Sequence, residues 1–235
     1  MNQVKTMIND LIEFEINYFF VSPEKMRATL EELKAEQVHP AVLQTRLIYT
    51  IPEAIQPKLK DTLTPYLEEQ KVDDIFRLLP YGNYLRLRNE VNDSWALSIK
   101  VHASKYGLMT DQKEAESWIS KEKIQEIRTV LGNSDFTLKN YQENYREKWK
   151  LSEECTLTID WWPHLKPYVE IEGTSEATVL SWAEKLDLVA LEEKGEVQST
   201  FASVSEMYAY TYGIDPSIML SEQFLTFKQT PSWVQ

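Results

Sequence analysis

Six short stretches of this chain set polar or charged residues two apart inside apolar runs: Glu13-Phe-Glu15, Arg86-Leu-Arg88, Ser98-Ile-Lys100, Glu114-Ala-Glu116, Thr158-Ile-Asp160 and Glu170-Ile-Glu172. Successive side chains of a β-strand point to opposite faces, so each doublet puts its polar groups on one face and its apolar residue on the other. Carboxylates are hard oxygen ligands suited to Mg²⁺ or Mn²⁺. Arginine forks clamp phosphate oxygens, and a lysine adds a point charge. If the strands close with their polar faces inward, acids and bases line one pocket, and a metal-bound polyphosphate is the ligand that suits it. Hydrolysis or phosphoryl transfer is the corresponding chemistry.

The other reading of any single doublet is an ordinary antiparallel strand with its polar face in water, which produces the same alternation. Arg86 and Arg88 side by side fit that reading less well, because a solvated face usually intersperses signs. Glu170 and Glu172 lie among Tyr168, Val169 and Ile171, and Asp160 lies among Leu157, Ile159, Trp161 and Trp162. Carboxylates in such runs either stay at a sheet surface or point into a shared cavity where counter-ions compensate them.

The elements that must position these groups read as follows. Residues 1–11 carry Val4, Met7, Ile8 and Leu11 at helical spacing, and residues 12–21 read as a strand. Ser22-Pro23 opens a helix expected to run to about Glu36. Residues 41–51 read as a strand, and 53–80, broken by Pro57, Pro65 and Pro80, as helical pieces. Residues 84–90 and 94–103 form an expected hairpin turning at Asn92-Asp93. A helix follows from Ser120 through Leu131, stopped by Gly132-Asn133. Strands are expected at 136–151, 155–162 and 167–173, then helices from Thr174 or Ser175 through Leu186 and over 203–213. Strands in runs with occasional helices make an α+β chain.

The chain has 235 residues, 43% hydrophobic, which is enough to bury a substantial core, and we read one domain. A formal charge of −12 argues against nucleic acid as the main ligand, although a local cationic cluster can still hold a small anion. With one cysteine, Cys155, no internal disulfide forms. Neither a signal-like apolar segment nor a run of membrane-spanning length occurs, so the expectation is a cytoplasmic protein with no membrane partner.

His39, His102 and His164 follow no metal-ligand spacing and read as surface or packing residues. Cys155 lacks a partner for reactivity and reads as a structural thiol. Trp149, Trp161 and Trp162 either stack a planar ligand or pack the core, packing being the commoner role. Tyr208, Tyr210 and Tyr212 read as packing. No phosphate-binding loop or dinucleotide turn is present.

Taken in order, Glu13-x-Glu15, Leu85-Arg86-Leu87-Arg88, Leu97-Ser98-Ile99-Lys100, Tyr145-Arg146, Leu157-Thr158-Ile159-Asp160 and Val169-Glu170-Ile171-Glu172 resemble the CYTH superfamily, the triphosphate tunnel metalloenzymes, over roughly residues 10–215. Gly107-Leu108-Met109-Thr110 is similar to a Gly-Leu-x-Glu element of the bacterial branch. The resemblance implies a single CYTH-like domain over 1–235: a closed antiparallel eight-stranded β tunnel barrel with helices packed outside. It further implies Mg²⁺ or Mn²⁺ and a triphosphate substrate, whether inorganic tripolyphosphate, thiamine triphosphate or a nucleoside triphosphate. Arg86, Arg88, Lys100 and Arg146 would hold phosphate. Glu13, Glu15, Asp160, Glu170 and Glu172 would organise metal, with Glu15, Lys100 and Asp160 as the catalytic groups.

Two departures bear on activity. The signature lysine of Glu-x-Glu-x-Lys is Asn17, and loss of that charge costs about 2–4 kcal/mol of binding or transition-state stabilisation if nothing replaces it. Thr110 stands where the bacterial branch has glutamate; Glu114 and Glu116 are then either a displaced acidic doublet or the exposed end of a strand, and we expect the exposed end. The functional expectation is a metal-dependent triphosphatase. The alternatives are a catalytically impaired member that binds nucleotide or polyphosphate as sensor or scaffold, a class IV-type adenylate cyclase, and an acidic α+β domain whose strand charges are solvated and which works through protein contacts.

Overall fold

The computed structural model describes residues 12–50, 56–81, 84–91, 94–106, 109–133, 137–201, 203–215 and 225–232, with 12, 56–58, 102–106, 109–112 and 133 described as backbone alone. Eight strands make an antiparallel curled sheet: β1 (Ile12–Phe19), β2 (Glu36–Thr50), β3 (Tyr84–Asn89), β4 (Trp95–Tyr106), β5 (Met109–Ile119), β6 (Thr137–Ser152), β7 (Cys155–Trp161) and β8 (Tyr168–Gly173). Their hydrogen-bonded order is β1-β5-β4-β3-β2-β6-β7-β8. The helices are α1 (Pro23–Glu32), α2 (Gln56–Leu63), α3 (Val72–Leu78), α4 (Ile124–Asn133), α5 (Glu176–Lys185), α6 (Leu188–Glu193) and α7 (Val204–Tyr212). None of the described helices is long and apolar enough to cross a membrane.

Among the described residues the chain divides into two compact units, one of residues 44–102 and 112–142, the other of 12–43, 103–111 and 143–232. In the first unit Leu85 and Leu87 of β3, Leu97 and Ile99 of β4, and Ala115 and Ile119 of β5 pack against Leu59 and Leu63 of α2, Ile75 and Leu78 of α3, and Ile127 and Leu131 of α4. Each such leucine or isoleucine side chain contributes roughly 1.5–3 kcal/mol when fully buried. That burial fixes which face of each strand turns away from the core and carries the charges.

In the second unit the apolar faces of β1, β6, β7 and β8 bury Ile16, Tyr18, Trp149, Leu157, Ile159, Val169 and Ile171 with Met26 and Leu30 of α1 and Val179 and Ala183 of α5. Serines cap three of its helices as expected: the Ser22, Ser175 and Ser203 hydroxyls accept from the Lys25, Thr178 and Glu206 N–H groups. Gly173 ends β8 where a Cβ would meet the Glu154 carbonyl oxygen and the Val179 side chain, each at 3.1 Å, so no larger residue fits without a shift. The buried Trp149, Trp161 and Trp162 are packing residues, and Tyr208 seals the end of the unit by donating to the Pro163 carbonyl at 2.7 Å.

One charge sits on the apolar face. Glu147 of β6 is buried and accepts from Arg27 Nε at 3.0 Å and Nη2 at 2.8 Å, Gln37 Nε2 at 3.1 Å and Trp149 Nε1 at 2.7 Å. Arg27 in turn lies 5.6 Å over the Trp161 ring. So many donors satisfy the carboxylate and tie α1 and the start of β2 to β6.

Four expectations are corrected. The first helix ends at Glu32, because Lys34 takes φ 57° and the Lys34 and Ala35 N–H groups close back on Glu31 and Leu30, a Schellman ending without glycine; β2 then begins at Glu36. Gly132 and Asn133 lie inside α4 rather than beyond it. Residues 109–119 form a full strand, and α6 is an additional helix. Glu114 and Glu116 are not an exposed strand end, since their side chains are 11% and 26% exposed and pair with arginines. The expected 1–11 helix, the Asn92-Asp93 turn, Gly107-Leu108 and the His102 side chain lie outside the described residues. His39 is half-buried within β2, His164 is exposed at a turn, and Cys155 is buried.

Candidate functional site

Each unit carries a charged strand face. In the first, β2, β3 and β4 bring Arg46 opposite Arg88, Arg88 opposite Ala96, and Arg86 opposite Ser98. Directly opposite residues share a face, so Arg46, Arg86, Arg88, Ser98 and, by alternation, Lys100 project together. Like charges opposite one another repel, and the chain compensates with carboxylates from β5 and the end of β3. Arg86 donates to Ser98 Oγ at 3.0 Å and pairs with Glu114 at 2.6 Å, while Lys100 Nζ reaches the other Glu114 oxygen at 2.9 Å. Arg88 pairs with Glu116 at 3.0 Å and Glu90 at 2.5 Å.

Burial alone would raise the Glu114 carboxyl, but Lys100, Arg86 and Arg88 outweigh it and hold the group at about 2. Glu116 goes the other way: burial lifts it and, together with the neighbouring Glu114 and Glu90 charges, outweighs the lowering by Arg88 and Arg86. The close Arg88 contact is therefore a weaker clamp than its 3.0 Å length implies.

The second unit's face is built from β1, β8, β7 and β6. Glu15 stands opposite Glu172, Asn17 opposite Glu170, Glu170 opposite Thr158, and Asp160 opposite Arg146. Glu13 shares the face by alternation and is half-buried. Arg146 forks onto Asp160, Nε to Oδ1 at 2.9 Å and Nη2 to Oδ2 at 2.7 Å, and touches Glu170 at 3.2 Å. Asn144 and Thr158 also donate to Asp160, at 2.6 and 2.9 Å. Burial pulls the Arg146 guanidinium toward neutrality, yet Asp160 and Glu170 outweigh it and raise its proton affinity well above the ordinary value. Asn17 donates its amide Nδ2 to Glu15 at 3.2 Å. Among the described residues of this face, the buried amide oxygens Asn17 Oδ1 and Asn144 Oδ1 have no hydrogen-bond partner.

The structure thus sets Arg86, Arg88 and Lys100 together on one face, and Glu15, Arg146, Asp160, Glu170 and Glu172 together on another. It adds Arg46, Glu90, Glu114, Glu116, Asn144 and Thr158, which the sequence reading had not assigned. The acidic doublet was visible as a pattern; Arg46 follows Gln44 and Thr45, and Asn144 lies in the polar run from Gln142 to Lys148, so neither stood out from its neighbours. No three Asp, Glu, His or Cys side chains among the described residues gather closely enough to hold a metal by themselves. Magnesium asks for less, since one or two carboxylates with waters and phosphate oxygens complete its shell. The opposed carboxylates Glu15 and Glu172, with an unsatisfied amide oxygen beside them, fit such an ion in chemistry.

No protein-family model matches the chain, and no curated protein matches it. Solved structures do. A conserved hypothetical protein from Pyrococcus furiosus matches at 18% identity over 81% of this chain and 97% of its own, with a TM-score of 0.54. A Hippeastrum protein described as a candidate adenylyl cyclase with a dominant triphosphatase activity matches at 18% identity over 87% of this chain and 99% of its own, TM-score 0.54. A candidate adenylate cyclase from Vibrio parahaemolyticus matches at 14% identity over 84% of this chain and 98% of its own, TM-score 0.55. At these identities the likeness is one of fold, and the fold is CYTH-like.

Proposed function

We propose that this chain hydrolyses the terminal phosphoanhydride of a triphosphate or polyphosphate with Mg²⁺ or Mn²⁺, in the cytoplasm, on a sheet closed as a tunnel. In this reading Arg86, Arg88, Lys100 and Arg146 take phosphate oxygens. Glu13, Glu15, Glu170 and Glu172 would hold the cation, which when bound would supply positive charge to the phosphate and make water more acidic. Asp160, whose oxygens are occupied by Arg146, Asn144 and Thr158, aims the Arg146 fork. Glu15 takes the proton from the attacking water as the bond from phosphorus to the bridging oxygen breaks, and orthophosphate leaves.

The observation that carries the proposal is the pairing of a CYTH-like fold with buried arginines and a lysine on a strand face of a chain whose net charge is −12. An acidic protein has no general reason to desolvate cations on a shared face. A small polyanion is such a reason.

A second reading, a polyphosphate-binding protein with little turnover, is favoured by Asn17 in place of the signature lysine. Phosphate release from tripolyphosphate, thiamine triphosphate and ATP with each metal separates the two. Metal-stimulated release that disappears in Glu170→Gln supports the enzyme. Thermal stabilisation by tripolyphosphate without release supports the binder. If neither occurs, both readings fall.

A further inference from the structure

We infer that Asn17 is itself a cation ligand: its Oδ1, with the carboxylates of Glu15 and Glu172, completes an oxygen site for one divalent metal ion. The inference rests on the reading that this face handles metal, and it gives a role to the residue that departs most from the expected pattern.

The argument begins with the orientation of the amide. Asn17 and Glu15 are two apart on β1 and share a face, both only 7% exposed. The Glu15 carboxylate can only accept, so the amide must turn its NH₂ toward it, and that contact is 3.2 Å. A flipped amide would set two acceptors against each other. The oxygen is therefore directed away from Glu15, buried, with no donor within reach among the described residues. An orphaned buried acceptor is costly to leave unmet.

The neighbours narrow what can relieve it. Across the ladder from Asn17 is Glu170, and across from Glu15 is Glu172, so the flanking groups are acceptors. Arg146 Nη2 reaches Glu170 at 3.2 Å but is committed to Asp160. An anion is repelled by this lining, whereas a hard divalent cation prefers it. A lysine here would place an ammonium among these carboxylates and occupy the same space; asparagine removes that charge and offers an oxygen. The described carboxylates do not gather in threes, so a neutral oxygen is what the set lacks for a three-point hold.

The test is direct binding of Mn²⁺ to the full-length protein without any phosphate compound, followed by equilibrium dialysis and by the loss of the free-ion resonance signal. The expected result is one ion per chain, with at least tenfold weaker binding for Asn17→Leu, binding kept or tightened for Asn17→Asp, and none for Asn17→Lys. Melting curves of each variant establish that it is folded, and Asn17→Asp keeps the question open to refutation even if Asn17→Leu does not fold. The inference is overturned if Asn17→Leu or Asn17→Lys binds Mn²⁺ like the parent, if Asn17→Asp loses binding, or if the parent binds none. Loss in Glu172→Gln with full retention in Asn17→Leu would sink the role of Asn17 and leave the metal reading standing. Failure of that broader reading shows instead as no phosphate release with any metal.

Discussion

Glu114→Gln isolates the electrostatics of the first unit's face. An ordinary glutamate titrates near 4.5, and Glu114 is held at about 2. Because the folded value is depressed, the stabilisation is complete above the unfolded value and is lost as pH falls through the folded one. The difference corresponds to about 3 kcal/mol at pH 7, with the side chain only 11% exposed. Glutamine keeps the shape and a hydrogen bond but leaves Arg86 and Lys100 without the charge they share. Urea unfolding of parent and variant at pH 7, 5, 4 and 3 is the assay. The stability gap should stand near 3 kcal/mol at pH 7 and shrink to about 1.5 kcal/mol by pH 3, other carboxylates cancelling in the difference. Tripolyphosphate should raise the melting temperature of the variant more than that of the parent, since it no longer competes with a resident carboxylate. A gap independent of pH, or below about 0.5 kcal/mol throughout, refutes the reasoning, because a surface pair behaves that way.

Asp160→Asn leaves the buried Arg146 without its forked partner and should destabilise by about 3–5 kcal/mol, read from urea midpoints at unchanged slope. Burial, reinforced by Glu172, pushes the Cys155 thiol up to about 12, so the native protein at pH 8 should react with a disulfide reagent no faster than it unfolds, while urea-unfolded chain reacts at once.

Where a charge doublet alternated with leucine, isoleucine or valine, the strand and its polar face were both legible: β1, β3, β4, β7 and β8 follow directly from the spacing of Glu15, Arg86, Lys100, Asp160 and Glu170. Residues 109–114, Met-Thr-Asp-Gln-Lys-Glu, carry no such alternation, so the length of β5 was hidden. The end of α1 was illegible because Lys34 adopts a left-handed conformation that usually announces itself as glycine. Likewise Asp187 at φ 60° starts α6 without a side-chain capping hydrogen bond. The partnership of Arg86 with Glu114 joins residues far apart in the chain and depends on which strands become neighbours, which periodicity does not encode. The orientation of the Asn17 amide is set by one contact to Glu15 and leaves no trace in sequence at all.

The carboxylate of Glu147, fastened behind β6 by Arg27, Gln37 and Trp149, acts on the opposite, charged side of that strand without touching it. Sliding β6 by a single residue would exchange its two faces, driving Arg146 and Lys148 into the core and stripping Glu147 of its Arg27 and Gln37 donors. A misthreaded strand is thereby penalised twice, by the charges it would swallow and by the one it would strand, so the aim of the Arg146 fork is enforced from the rear of the sheet.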